Sequence, residues 1–132
     1  MKKLTYTEAF AYYGAKLKNT RWAYSAIAGD DSLVISCWER FLHTDVYGHK
    51  HYKDHLSRWH SNHPGKNLLT DHLRLAIEGN LRVRLIVAKV DDPTESVSGD
   101  ASSLPKTFTI EKDFVGKVVE FDGDAFEIEF RS

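Results

Sequence analysis

Five histidines crowd one short stretch, His49-Lys-His51-Tyr-Lys-Asp54-His55-Leu-Ser-Arg-Trp-His60-Ser-Asn-His63, and all seven of the chain lie between His43 and His72. Imidazoles at this density can ligate a metal, move a proton or carry charge near neutral pH. Tyr52, Leu56 and Trp59 recur at i, i+4 and i+7, so the spacing predicts a helix over 49–60, ending before Pro64. On that helix His51 and His55 share a face, the arrangement by which a helix offers two imidazoles to zinc. A third ligand is harder to find: at roughly 100° per residue His60 points to the opposite side from His51. Nor does a Glu stand between the two histidines, as an H-E-x-x-H site requires. His51 and His55 are thus the candidate ligands of a divalent metal. The competing reading is a solvated helix face beside Lys50, Lys53 and Arg58, and no other cofactor is expected.

Nuclease chemistry is not supported. His60-Ser-Asn-His63 precedes Asn67 and His72, but the residues before it read as helix rather than the hairpin that an HNH site needs. Ala88-Lys89 stands where a metal-dependent nuclease strand would carry acid-x-Lys. The carboxylates Glu120, Asp122, Asp124, Glu127 and Glu129 could serve acid–base chemistry or a cation. Their placement around Asp122-Gly123 predicts instead a turn and an outward strand face. Cys37 sits in Leu-Val-Ile-Ser-Cys-Trp and reads as packing. The eight glycines are scattered, and none forms a phosphate loop.

The remaining pattern is basic and aromatic. Lys16-Leu-Lys18-Asn19-Thr20-Arg21-Trp22-Ala-Tyr24 sets three cations and an amide before two aromatics, and Arg58-Trp59 repeats the pairing. Lys and Arg neutralise phosphates, while aromatic faces stack on unpaired bases at about 1–3 kcal/mol each. A flipped base is held by the same parts. The expected nucleic-acid surface comprises Lys16, Lys18, Asn19, Arg21, Trp22, Tyr24, Lys50, Lys53 and Arg58, with Trp22 or Tyr24 stacking and Asn19 reading. A core role for the tryptophans is the alternative, strongest for Trp59.

The elements that would position these residues form an α+β fold. Thr5 or Thr7 caps a predicted helix over 7–17; 21–28 and 33–38 read as a hairpin across Gly29-Asp30-Asp31-Ser32. The stripe Leu69, Leu73, Ala76, Ile77 predicts a helix over 67–78 stopped by Gly79, and 81–90 begins with strict alternation and ends as a buried strand. A short strand over 107–110 precedes a hairpin over 115–131, with Phe126, Ile128 and Phe130 inward. The sum is a single domain with a five- to six-stranded mixed or antiparallel sheet, able to curl into a small open barrel, and about three helices in the first two-thirds. Residues 91–106, polar and bounded by prolines, read as a long surface loop.

At 132 residues, 42% hydrophobic and 28% charged, the chain can bury a core without staples. It is too apolar for disorder and lacks an apolar run of spanning length, so no membrane partner is expected. One cysteine excludes a disulfide framework. Polar residues follow Met-Lys-Lys-Leu at once, so a cytoplasmic protein is expected. The formal charge of −1 hides a division: 14 Lys+Arg against 8 Asp+Glu over 1–90, and 4 against 11 over 91–132. Such segregation fits a non-enzymatic nucleic-acid-binding domain. It fits equally a protein-interaction or self-associating module with bipolar charge, or neutralisation of one half by the other across neighbouring strands.

Overall fold

The computed structural model describes residues 4–19, 23–58, 63–90 and 106–132. Among them run helix α1 (Tyr6–Tyr12), strands β1 (Ser25–Ile27), β2 (Leu33–Trp38), β3 (Leu42–Thr44) and β4 (Lys50–His55), helix α2 (Pro64–Gly79), and strands β5 (Val83–Val90), β6 (Lys106–Phe121) and β7 (Ala125–Arg131). Single 3-10 turns follow β2 and β4. The seven strands form one mixed sheet in the order β1-β2-β5-β6-β7-β4-β3, with β2 and β5 parallel and every other pair antiparallel. The α+β class holds, but among the described residues there are seven strands and two α-helices, and the sheet they form has two edges rather than closing on itself.

The centre of the sheet is covered on both faces, which explains the unbroken apolar runs of β2 and β5. Leu33, Ile35, Val83, Leu85 and Val87 pack with Leu69, Leu73 and Ala76 of α2. Val34 and Ile86, pointing the other way, meet Ala9 and Phe10 of α1. A full capping box, with Thr5 and Glu8 bonded to each other's backbone N–H, starts α1. Tyr13 Oη, donating to the Leu85 carbonyl at 2.9 Å, ties that helix to the sheet. Helix α2 begins at Pro64 and stops at Asn80, whose left-handed φ of 50° makes it the cap in place of Gly79.

Two expectations are corrected. Residues 50–55 are strand, not helix, and only Leu56–Arg58 make a helical turn. Their true period is two: Tyr52 and Asp54 are buried between exposed or half-buried neighbours. The segments expected as separate strands over 107–110 and 115–121 are one long strand. It bulges where β5 advances two residues, Arg84 to Ile86, while β6 advances five, Val115 to Ile110. Of the expected loop 91–106, Lys106 opens β6, and residues 91–105 lie outside the described residues, as do the strand start at Arg21 and Trp22, and Trp59.

Candidate nucleic-acid interface

Strand β4 delivers His51, Lys53 and His55 to one face of the sheet and Tyr52 and Asp54 to the core. In a strand, four residues separate His51 from His55 by about 13 Å, so they do not converge as the helical reading required. Among the described residues no group of three His, Cys, Asp or Glu side chains could hold a metal.

His51 is clasped from both sides instead. Its Nε2 lies 2.8 Å from Asp45 Oδ2 and its Nδ1 3.0 Å from Glu127 Oε2 of β7. The His43 ring stacks on it at 5.6 Å, His49 Nδ1 stands 3.7 Å from the same Asp45 oxygen, and Lys53 Nζ is 3.9 Å from Glu127. Two acceptors on one ring require both nitrogens to carry protons. The bonds to Asp45 and then Glu127 raise the imidazole above its ordinary range, and the same contact holds Asp45 down to about 2. The pairing of β4 with the acidic β7 is thus, with the β5–β6 ladder, one of two places where the basic and acidic halves of the chain meet.

Asp45 has a second task. Its Oδ1 accepts from the backbone N–H groups of Tyr47 at 2.9 Å and His49 at 3.0 Å, and the Gly48 N–H donates to its carbonyl at 3.1 Å. Gly48 takes φ +83°, the left-handed conformation that completes the β3–β4 turn. This stiff turn thrusts Val46 and Tyr47 into solvent, 92% and 81% exposed. Tyr47 escaped the sequence reading, although Asp45-Val-Tyr-Gly48 carries the Asx-turn signal that would have placed it.

A pH effect follows from the clasp. A base raised on folding stabilises fully below its unfolded pKa near 6.5 and loses that stabilisation as pH climbs through the folded value. Asp45, depressed on folding, contributes above 3.8 and fades only as pH falls toward about 2. His72, lowered by burial, acts with the opposite sign. It is removed by comparing the wild type with His51→Gln. The wild type's advantage in urea midpoint should shrink between about pH 6 and 8.5; parallel curves would refute the doubly protonated clasp.

The expected basic surface divides in two. Exposed Lys16 and Lys18 alternate with buried Ala15 and Leu17, beside half-buried Asn19, on a segment tied to the end of β1 by the Ala15–Ala28 bridge. Tyr24 lies along α2: its hydroxyl is 3.5 Å from His63 Nε2, and the next residue, Ser25, meets His72 Nδ1 at 2.7 Å. Lys50 and Lys53 stand across the sheet on β4, with Lys50 Nζ 3.3 Å from Thr44 and 5.0 Å over the Phe114 ring. Arg58 is engaged elsewhere. It grips buried Asp54 through Nε at 2.9 Å and a terminal nitrogen at 2.7 Å and lies over Phe41. Tyr24 and Arg58 do meet around a void of about 10 Å³, lined also by Trp38 and Tyr52; that is room for one water, not for a nucleobase. Burial pushes the Cys37 thiol up and keeps it protonated.

No protein-family model matches the chain, and neither a curated protein nor a solved structure shows significant similarity to it.

Proposed function

We propose that this chain is a non-enzymatic nucleic-acid-binding domain that grips an unpaired strand with the β3–β4 hairpin, Tyr47 stacking on a base. The observation that carries this reading is the 81% exposure of Tyr47 on a turn held by three hydrogen bonds to Asp45. A solvent-facing ring on a backbone already held in place spends less conformational entropy when a base covers it. The His49 ring lies 6.1 Å from that of Tyr47 and Lys50 follows it, while His43 and Lys53 lie farther along the hairpin, and the Lys16–Lys18 segment supplies a second cationic strip to meet phosphates.

Fluorescence anisotropy with labelled single-stranded DNA, RNA and duplex, at about 50 and 200 mM salt, tests the reading. Single strands should bind more tightly than duplex and weaken steeply with salt. Tyr47→Ala should cost roughly 5- to 150-fold, the worth of one base–aromatic stack. Lys50→Gln with Lys53→Gln should flatten the salt slope. Absent binding at low salt, or an unchanged Tyr47→Ala, would reject the proposal. Val46, 92% exposed beside Tyr47, would then favour a protein partner taking the same apolar tip.

A further inference from the structure

A second feature lies at the same end of the sheet, and the sequence reading passed over it. Lys50, Phe130, Gly116 and Val83 pair in turn across β4, β7, β6 and β5. The residues on either side of that row on β5, β6 and β7 are therefore neighbours, although they come from three separate segments. They enclose an open groove of about 340 Å³, lined by Asn80, Arg82, Gly116, Lys117, Glu129 and Arg131, among others. A volume of this size lies at the lower end of small-ligand sites.

Its charge is what points to a ligand. Three cations face one carboxylate, and that carboxylate is spoken for: Glu129 Oε1 accepts from Arg131 Nε at 2.6 Å, and Glu129 is held below the usual carboxylate range by that bond. The Nε contact steers the Arg131 guanidinium and leaves its terminal nitrogens as donors. Arg82 and Lys117 form no ion pair with any described residue. Gly116 contributes only backbone to the lining, its absent Cβ facing Phe130 in the core, and Asn80, the C-cap of α2, adds an amide. Arg82 and Lys117, neither in a close ion pair although Arg82 also acts on Asp30 through space, and a steered guanidinium around one concavity suit tetrahedral oxyanions.

We infer that the Arg82–Lys117–Arg131 groove is a phosphate-binding site. Across three strand spacings, about 14 Å, it stands within reach of the hairpin bearing Tyr47. One single strand can therefore contact both, and a free phosphate ester can occupy the groove alone.

The test is a titration of the full chain, followed by backbone amide NMR, with inorganic pyrophosphate and with an oligothymidylate carrying or lacking a 5′-phosphate. Pyrophosphate should give saturable shifts confined to residues 80–82, 115–117 and 129–131. The double variant Arg82→Gln/Lys117→Gln should weaken it at least tenfold, and Lys89→Gln, on the exposed far end of β5, should not. The same residues shifting with both oligonucleotides would identify a backbone phosphate as ligand; shifts with pyrophosphate alone would identify a small phosphate ester. Unsaturable or scattered shifts, or indifference to the double variant, would overturn the inference. Because Tyr47→Ala leaves the groove intact, oligonucleotide binding lost there while the groove stays silent counts against the groove only.

Discussion

Asp54→Ala should lower the free energy of unfolding by about 3–5 kcal/mol, the cost of stranding one member of a buried ion pair. Asp54 is 6% exposed and holds four donors: both Arg58 bonds, the Tyr52 hydroxyl at 3.0 Å and the His55 N–H at 2.8 Å. Tyr52 is itself fully enclosed; its Oη accepts the Trp38 N–H at 3.4 Å, and burial pushes its phenol up, so it remains a donor to the carboxylate. Removing the carboxylate leaves a guanidinium, a hydroxyl and an N–H to find other partners. Urea unfolding should report the loss, with Tm falling by about 10–20 °C for a chain of this size. Arg58→Ala should cost a similar amount, while Arg58→Lys should fall between, since an ammonium cannot reproduce both fork contacts. A loss below about 1 kcal/mol would mean that water reaches the pair and that it behaves as a surface bridge. This bears on binding as well. An Arg58 variant that fails to bind nucleic acid reports a damaged fold before it reports a lost phosphate contact.

The same aspartate explains the largest misreading of the sequence. Tyr52 and Leu56 suit a helix at i, i+4, but they suit a strand equally if residue 54 also points inward. An aspartate there breaks the apolar alternation on paper, because its burial depends on Arg58, which becomes a partner only once the chain has turned after β4. By contrast β2, α2 and β7 were legible, since packing decides their period without help from polar partners. The continuity of β6 was not. Its bulge answers the geometry of β5, a strand distant in sequence, so Lys112 and Asp113 look like a break when read locally.

The candidate sites divide in the same way. Lys16, Lys18 and Lys53 are exposed, as residue type alone suggests for a cation, whereas Lys50 is half-buried over Phe114. Tyr47 was legible only through its turn. Arg82, Lys117 and Arg131 were not legible, because the bulge and the β5–β6–β7 register bring them together. The histidine cluster stood out by composition, yet its chemistry depended on secondary structure. As a strand, it sets His51 and His55 about 13 Å apart and closes His51 between Glu127 of β7 and Asp45 of the β3–β4 turn in a charge clasp.

Gly116→Ala should destabilise the chain by about 2–3 kcal/mol, the upper part of the range for an overpacked core. The backbone does not demand glycine, for Gly116 is absent from the positive-φ positions, and in open space the exchange would stabilise by about 0.4–1 kcal/mol. Space reverses the sign. A Cβ would stand 2.5 Å from Phe130 Cδ1, 2.8 Å from Cε1 and 2.9 Å from the Glu129 carbonyl oxygen. Phe130 is wholly buried, and its backbone is the pairing partner of Gly116 on one side and of Lys50 on the other, so neither ring nor strand yields cheaply. Gly29→Ala, where no atom lies within 4 Å, is the control and should shift stability by less than about 0.5 kcal/mol. Phe130→Leu should cost less in the Gly116→Ala background than in the wild type, a coupling readable in a double-mutant cycle. Neutral behaviour of Gly116→Ala would mean that the Phe130 ring can move aside. The floor of the phosphate groove and the row of strands linking it to the Tyr47 hairpin would then be pliable, and the two surfaces could not hold one strand in a fixed register.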